Sequence, residues 1–400
     1  MTPQAHACQA SALTHLAVAG YRSLQQLTLP LGGLTVVCGA NGCGKSNLYR
    51  ALGLVAAAAR GDLVAALAAE GGLPAVFWAG PERTTAAMRR GEQPVQGSSF
   101  RREAARVRLG IAGESLSYAI ELGYRADDST SAFVLDPEIK REWIWAGGPF
   151  HPRSVLVQRT GPVVERCGDG GGRNQPLAME VSPHESLFTA VSDPLEAPEV
   201  FQLRRTILSW RFYDSFRADR QAPARIGQLA TRTPSLGADG GDLAAAVQTI
   251  LEIGDREGLQ NAVADAFPGC RLGVNIEQPI FRLKFHQPGL LRPLDGAELS
   301  DGTLRYLLLA TALFSPRLPP LLVLNEPENS LHPDLLEPLA RMIAAVAEST
   351  QVWVVAHAEA LIRALEATPG GQLLRLEREL GATLLPGQTV LERAAWRWPG

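Results

Sequence analysis

Gly39, Gly44, Lys45 and Ser46 stand at the spacing G-x-x-x-x-G-K-S inside the stretch GANGCGKSN. Glycines at these places let the backbone curl so that successive N–H groups face one anion. Lys45 can then reach terminal phosphate oxygens, and Ser46 can offer its hydroxyl to a magnesium ion. The chemistry is nucleotide-phosphate binding, with ATP and Mg²⁺ as the expected cofactors and Asn41, Gly42 and Asn47 completing the expected contacts. A glycine-rich turn with an incidental lysine would look similar in isolation. The neighbours argue against it, because the apolar run LTVVC at 34–38 reads as a buried strand and the Ala/Leu-rich segment after Ser46 reads as a helix. Cys43 within the loop is read as a small filler.

A second set of chemical residues lies far along the chain. In LLVLNEPENSLHP, an apolar strand ends at Asn325 and Glu326, where a carboxylate could activate water. His357 follows QVWVVA one helix and one strand later, placed to contact a γ-phosphate. Upstream, Ser300 and Gly302 in ELSDGTLRYLLLATALF would open a helix whose N-terminal amides could face a phosphate held by a second subunit. A plain helix cap would also account for Ser300 and Asp301, but the order of all four motifs favours the phosphate reading. Tyr21 and Arg22 precede the loop. They could stack on an adenine and approach the nucleotide, or serve as ordinary strand residues.

Lys45, LSDGT, NEPENSLHP and VVAHAEAL together resemble the RecF/SMC-like branch of ABC-type ATPases, specifically the group with EPE-x-x-LHP after the Walker B strand. GYRSLQQLTLPLGGLTVVCGANGCGKSNL is similar to the N-terminus of the same group. The resemblance is specific over roughly residues 15–80 and 290–365, and looser between them, where FYDSFR and DGGDLAA match. It implies an α/β P-loop ATPase head, ATP-driven head-to-head dimerisation into a homodimer, and slow hydrolysis. Ser330, Leu331 and His332 would then stand at the D-loop position across the dimer interface, with Lys45 of one subunit and Ser300 of the other touching one ATP. Asp301 stands where transporter ATPases carry glycine, as is usual for this branch. Asn325 replaces an aspartate that supports Mg²⁺ largely through its water shell. An amide keeps an oxygen there but loses a charge, so Mg²⁺ binding should weaken more than nucleotide binding. Glu326 and His357 as catalytic residues, and Ser46 and Asn325 toward the metal, make this a slow but competent ATPase. No Q-loop glutamine is evident.

The elements that must position these residues read as follows. The expected fold class is α/β: an ABC-type head with a mixed or parallel core sheet, an antiparallel β subdomain and a helical insertion. The expected division is 1–96 and 271–400 for the two parts of the head, 97–179 for the β subdomain and 180–270 for the insertion. RVRLGIAGESLSYAIELGY alternates like a hairpin turning at Ala112, Gly113 and Glu114, and FVLD, REWIWAG and SVLVQRTG follow as strands. Trp143 and Trp145 alternate within one of them and are expected to pack. PEVFQLRRTILSWRFYDSF and GDLAAAVQTILEIG read as helical, the second capped by Asp242. RLGVNIEQ and IFRLKFH return to alternation, and the C-terminal segments alternate strand and helix. CGDGGGRNQP reads as a loop.

Composition narrows the class. The 38 basic and 41 acidic side chains leave a net charge of -3, and 46% of residues are hydrophobic, so the chain suits a globular core rather than a polyanion-coating surface. A local basic patch is still open: Arg204, Arg205, Arg211, Arg217, Arg220, Arg225 and Arg232 outnumber Asp214 and Asp219, with Trp210, Phe212, Tyr213 and Phe216 interleaved. That region could bind duplex DNA by phosphate contact and stacking, or form a solvated face over buried aromatics. The five cysteines lack a C-x-x-C, which suggests neither a disulfide framework nor zinc. No basic side chain precedes Arg22 and no apolar run reaches the roughly 20 residues of a membrane span, so a cytoplasmic protein is expected. Three functions are weighed. The first is an ATP-gated switch on DNA in repair or anti-phage defence. The second is a regulatory ATPase holding a separate effector protein such as a nuclease or toxin. The third, a transporter ATPase, is disfavoured by the long segment between Lys45 and Ser300. No D-x-D pair follows His357, so a nuclease in the same chain is not expected.

Overall fold

The computed structural model describes residues 12–81, 88, 90, 92, 105–124, 132–133, 135–168, 173–214, 216–229, 231–387 and 396–400. Met1–Gly32, Gly39–Trp210 and Leu374–Gly400 form one compact unit, and Gly33–Cys38 with Arg211–Leu373 form another.

In the first unit, β1 (Leu13–Tyr21), β2 (Leu24–Pro30), β4 (Arg106–Gly113), β5 (Leu116–Tyr124), β6 (Pro137–Ala146), β7 (Val155–Thr160), β8 (Val163–Arg166) and β9 (Gln175–Ala178) make one antiparallel sheet. Its order is β2-β1-β4-β5-β6-β7-β8-β9. The N-terminal strands therefore continue the sheet of the alternating region instead of standing apart from it. The hairpin between β4 and β5 turns at Glu114 and Ser115. Of FVLD, Val134 lies outside the described residues and Phe133 and Leu135 sit in turns, so the strand starts only at Pro137. In CGDGGGRNQP, residues 169–172 lie outside the described set, and Gln175 and Pro176 already belong to β9.

Trp143 and Trp145 are buried and share a small core with Ala17, Ala112, Ala119 and Trp396. The Trp145 and Trp396 rings meet edge to face with centroids 5.8 Å apart. Deeper in the unit, the Glu142 carboxylate and Arg159 guanidinium are wholly buried and paired at 3.3 Å. Tyr118 and Ser186 donate to Glu142 at 2.7 and 2.6 Å, and the Leu187 amide donates at 2.9 Å, so the buried charge is fully satisfied. Burial, with Glu142 beside it, pushes the Tyr118 hydroxyl well above its ordinary value.

The helices of this unit are α1 (Lys45–Arg60), α2 (Leu63–Ala69), α3 (Gly72–Val76), α4 (Leu187–Ala190) and α5 (Pro198–Ser209). Small alanines let α1 bury one long face, and Gly61 closes it in the left-handed conformation at φ 88°. Near the C-terminus, β17 (Gly371–Glu379) and β18 (Ala382–Leu384) pair antiparallel.

In the second unit, β3 (Leu34–Gly39), β10 (Arg211–Tyr213), β15 (Leu321–Asn325) and β16 (Gln351–Val355) run parallel in the order β10-β15-β16-β3. The last three are continuous apolar runs because helices cover a parallel sheet on both faces. Their surroundings are α6 (Leu243–Ile253), α7 (Arg256–Ala266), α8 (Asp301–Leu313), α9 (Leu336–Ala347) and α10 (Glu359–Glu366), which share one large hydrophobic core with the sheet. A separate antiparallel sheet joins β11 (Gln228–Leu229), β13 (Ile280–His286), β12 (Arg271–Glu277) and β14 (Leu294–Asp295).

The helix expected through PEVFQLRRTILSWRFYDSF stops at Ser209; RFY becomes β10 and pairs Arg211, Phe212 and Tyr213 with Leu322, Val323 and Leu324. Local periodicity could not reveal that a distant apolar strand offers these aromatics a ladder. Asp242 does precede α6. Its carboxylate, however, accepts from the Gly237 amide at 3.0 Å and makes no helix-capping bond.

Candidate nucleotide site

β3 runs directly into the glycine loop, and α1 begins at Lys45. Gly39 and Gly44 hold left-handed backbone at φ 144° and 110°. A Cβ on Gly44 would lie 2.1 Å from Thr383 Oγ1, and one on Gly39 would lie 2.3 Å from the Leu376 carbonyl oxygen. Only glycine fits either place. Thr383 donates to the Cys43 carbonyl at 2.7 Å and meets Ser23 Oγ at 2.7 Å, while Asn47 Nδ2 donates to Ser23 Oγ at 2.8 Å. Thr383 thus holds the loop directly, while Ser23 links Thr383 to Asn47 on the helix that follows the loop. Arg378 adds a donation to the Gly42 carbonyl at 3.3 Å.

Lys45 is 4% exposed, and its ammonium donates to the Gly39 and Ala40 carbonyls at 2.6 and 3.1 Å. The charge is thereby held over the loop, where phosphate oxygens would compete for the same protons. Ser46, Asn41 and Gly42 are exposed. Cys43 is buried, in keeping with a packing role.

In the second unit the C-terminal ends of β3, β15 and β16 lie along one sheet edge, with Asn325 paired to Val355 and Val355 to Val37. Such an edge is where α/β sheets bind ligands. Glu326 follows with a positive φ of 50°, tied by its amide to the Val355 carbonyl at 2.8 Å. A non-glycine residue held in that conformation marks a place where surrounding structure enforces side-chain direction.

One Glu326 oxygen meets His357 Nε2 at 2.5 Å, and the other accepts from Asn329 Nδ2 at 2.7 Å. Glu328, 8% exposed, accepts from the amides of His357 and Ala358 through Oε1, the second at 2.9 Å. Asn325 donates through Nδ2 to Asp214 Oδ1 at 2.8 Å, the register of β10 and β15 having brought the two strand ends together.

Ser300 caps α8, accepting from the Thr303 amide at 3.1 Å. Gly302 faces the Ser330 carbonyl so closely that a Cβ would stand 3.0 Å from it, and Ser330 itself has φ 62°. Arg305, one turn along α8, donates to the Asn329 carbonyl at 2.6 Å and to the Phe216 carbonyl at 2.9 Å. It ties the signature helix to the loop that follows Glu326, and burial holds its guanidinium below its ordinary value.

Two expectations meet a different environment. Tyr21 is wholly buried with its hydroxyl on Glu70 at 2.5 Å, so its ring has no open face for a base. Burial, with Glu70 next, raises that hydroxyl strongly. Arg22 pairs with the same Glu70 oxygen at 2.9 Å. Most aromatics of the Arg-rich stretch are also committed: Trp210, Tyr213 and Phe216 are buried, and Phe212 is half-buried in β10. Arg204 donates to the Ala59 carbonyl, Arg217 pairs with Asp219, Arg232 with Glu252, and Arg225 with Asp301 at 2.6 Å.

Residues that sequence reasoning did not assign to the site are Ser23, Thr383, Asp214, Glu328, Asn329 and Arg305. The second Glu of NEPEN carried a signal for Glu328. Asn329 lies in the same motif and bonds Glu326 three residues before it, whereas Ser23, Thr383, Asp214 and Arg305 act through contacts between segments distant in sequence. Among the described residues no cluster of three or more His, Cys, Asp or Glu could hold a metal, and Cys38, Cys43, Cys167 and Cys270 are free. No helix among the described residues is long and apolar enough to cross a membrane.

Residues 34–362 match the family described as "AAA domain, putative AbiEii toxin, Type IV TA system". No curated protein matches significantly. Among solved structures, an SMC head bound to the C-terminal winged-helix domain of ScpA is similar with a TM-score of 0.51 at 12% identity, over 95% of this chain and 99% of that one. The SMC head domain from Thermotoga maritima aligns with a TM-score of 0.46 at 15% identity, over 94% and 99%. Over most of its length this chain belongs to the AAA domain family, with the P-loop fold of an SMC-type ATPase head.

Proposed function

We propose that the protein binds ATP with Mg²⁺ and hydrolyses it slowly, as an ABC-type switch whose two heads associate around nucleotide. The observation that carries this reading is the Glu326 carboxylate, held by His357 and Asn329 just past the end of a parallel strand. The loop amides and Lys45 would bind phosphate oxygens. Glu326 would orient and deprotonate the attacking water, and His357 would hold that carboxylate and approach the γ-phosphate.

Each unit offers an oxygen of the kind a hard cation takes. Ser46 offers an exposed hydroxyl, and Asn325 Oδ1 is buried without a hydrogen-bond partner among the described residues. Mg²⁺ would neutralise phosphate charge when bound, and it commonly keeps several waters of its own. Ser300, at the start of α8, would meet the nucleotide of a second copy. The close contact of Gly302 with Ser330 supports a shared interface surface for the signature and the residues at the D-loop position.

For the regulated partner, the family's description as a toxin–antitoxin component supports a defence setting and a protein effector. Duplex DNA at residues 204–232 has less support, because Trp210, Tyr213 and Phe216 are buried and four of the arginines are engaged.

The test is steady-state hydrolysis by the natural protein and by Glu326→Gln across Mg²⁺ concentrations, with and without duplex DNA. A rate that depends on Glu326 supports the ATPase. Equal rates under every condition would leave a nucleotide-binding scaffold. Stimulation by DNA would return the DNA reading to first place.

A further inference from the structure

Asn325 stands where an acidic residue would help hold Mg²⁺, yet a full carboxylate lies against it. Asp214 directly follows β10, whose Tyr213 pairs with Leu324, so the parallel register brings residues 214 and 325 side by side. The Asn325 Nδ2 donates to Asp214 Oδ1 at 2.8 Å. That bond consumes the donor end of the amide and leaves Oδ1 as its free end. Oδ1 is buried and has no hydrogen-bond partner among the described residues, an arrangement that costs stability unless something donates to it or is ligated by it. Asp214 is exposed, and among the described residues no lysine or arginine forms an ion pair with it. A carboxylate with no cation and an orphaned amide oxygen therefore share one strand end.

We infer that Asp214 and Asn325 together replace the single aspartate: Asp214 supplies the negative charge, and Asn325, its amide fixed by Asp214, supplies an oriented neutral oxygen toward a hydrated divalent cation. Hard cations are held by such mixed sets of carboxylate and amide oxygens with water between, and partners that orient a ligand shift metal affinity by about 10–100-fold. A structural role alone would make the contact a strand-end hydrogen bond, worth about 0.5–1.5 kcal/mol and indifferent to cations. The inference rests on the ATPase reading above and makes Asp214 a positioning residue for the cation.

The experiment is Mn²⁺ titration by its electron paramagnetic resonance signal, on the full chain with the β,γ-imido analogue of ATP bound. Binding of the analogue in EDTA is measured alongside. In Asp214→Asn the half-saturating Mn²⁺ should rise about tenfold while binding in EDTA stays within twofold, in line with the loss of an orienting partner. The exchanged pair, Asp214→Asn with Asn325→Asp, should return to within about threefold of the natural protein, because the charge is restored one strand over. A half-saturating concentration unchanged in Asp214→Asn overturns the inference, as does an exchanged pair no better than Asp214→Asn. If Asp214→Asn loses its thermal transition, the comparison passes to Asn325→Asp alone. That variant should bind Mn²⁺ more tightly than the natural chain, and equal or weaker binding refutes the idea. If the natural protein binds no analogue with or without metal, the ATPase reading fails first and takes this inference with it.

Discussion

The Glu328 carboxylate accepts the Ala358 amide at 2.9 Å and the His357 amide beside it, so an acid two residues past Glu326 fixes the loop that carries its histidine partner. Because it is 8% exposed, removing it would leave two amides without an acceptor. Glu328→Ala should cost stability by about 1–3 kcal/mol and lower turnover more than it lowers nucleotide affinity. Chemical denaturation and kcat measured beside nucleotide Kd check this. A variant with ordinary turnover would show that the His357 loop holds its place unaided.

Glu326→Gln keeps the shape of the side chain but removes its basicity. Hydrolysis should fall by about 10²–10⁴-fold, the usual contribution of a positioned base. ATP affinity should persist within a few-fold, since Lys45 and the loop amides are untouched. Equal losses in binding and turnover would argue that Glu326 shapes the nucleotide site instead of acting on water.

Gly44→Ala meets two obstacles at once: a left-handed φ of 110° and a Cβ position 2.1 Å from Thr383 Oγ1. Thr383→Ser keeps the hydroxyl that holds the Cys43 carbonyl, whereas Thr383→Val removes it. Nucleotide affinity should drop sharply in Gly44→Ala, measurably in Thr383→Val and least in Thr383→Ser. Titration with a fluorescent ATP analogue ranks them, and a Val variant that binds like the natural protein would remove Thr383 from the clamp.

Ser300→Ala deletes the acceptor for the Thr303 amide. Loss of a helix cap should cost about 1 kcal/mol. ATP-dependent association, followed by light scattering of the Glu326→Gln background, should weaken well beyond that change while monomer nucleotide binding stays intact. Unchanged association would rule out the composite site.

Arg159→Met strands the wholly buried Glu142 carboxylate among Tyr118, Ser186 and the Leu187 amide. Removing one partner of a buried pair costs about 3–5 kcal/mol; replacing both removes the stranded charge but leaves the Tyr118, Ser186 and Leu187 donors unpaired, so the double variant should recover only part of that loss. Denaturant midpoints of Arg159→Met and of a double Glu142→Leu, Arg159→Met variant check this. If the double variant is no more stable than the single one, the pair is not what sets the cost.

The amino-acid sequence alone determined the features that local chemistry dictates. The loop glycines and Lys45 are legible because only certain residue types can wrap a phosphate. The buried parallel strands are legible as unbroken apolar runs, and α8 as a capped helix, because periodicity and capping are properties of short segments. The order of these motifs placed Glu326 and His357 in one site.

Tertiary structure decided what depends on segments remote in sequence. It turned RFY from the end of a helix into a strand, because a partner strand was available only in the folded chain. It buried Tyr21, Trp210, Tyr213 and Phe216, since alternation and charge do not say which face finds a core. It also brought Asp214 to Asn325, Thr383 to the loop and Glu328 to the His357 amide. A hydrogen bond between distant residues leaves no periodic trace in the chain, and only packing selects which pairs meet.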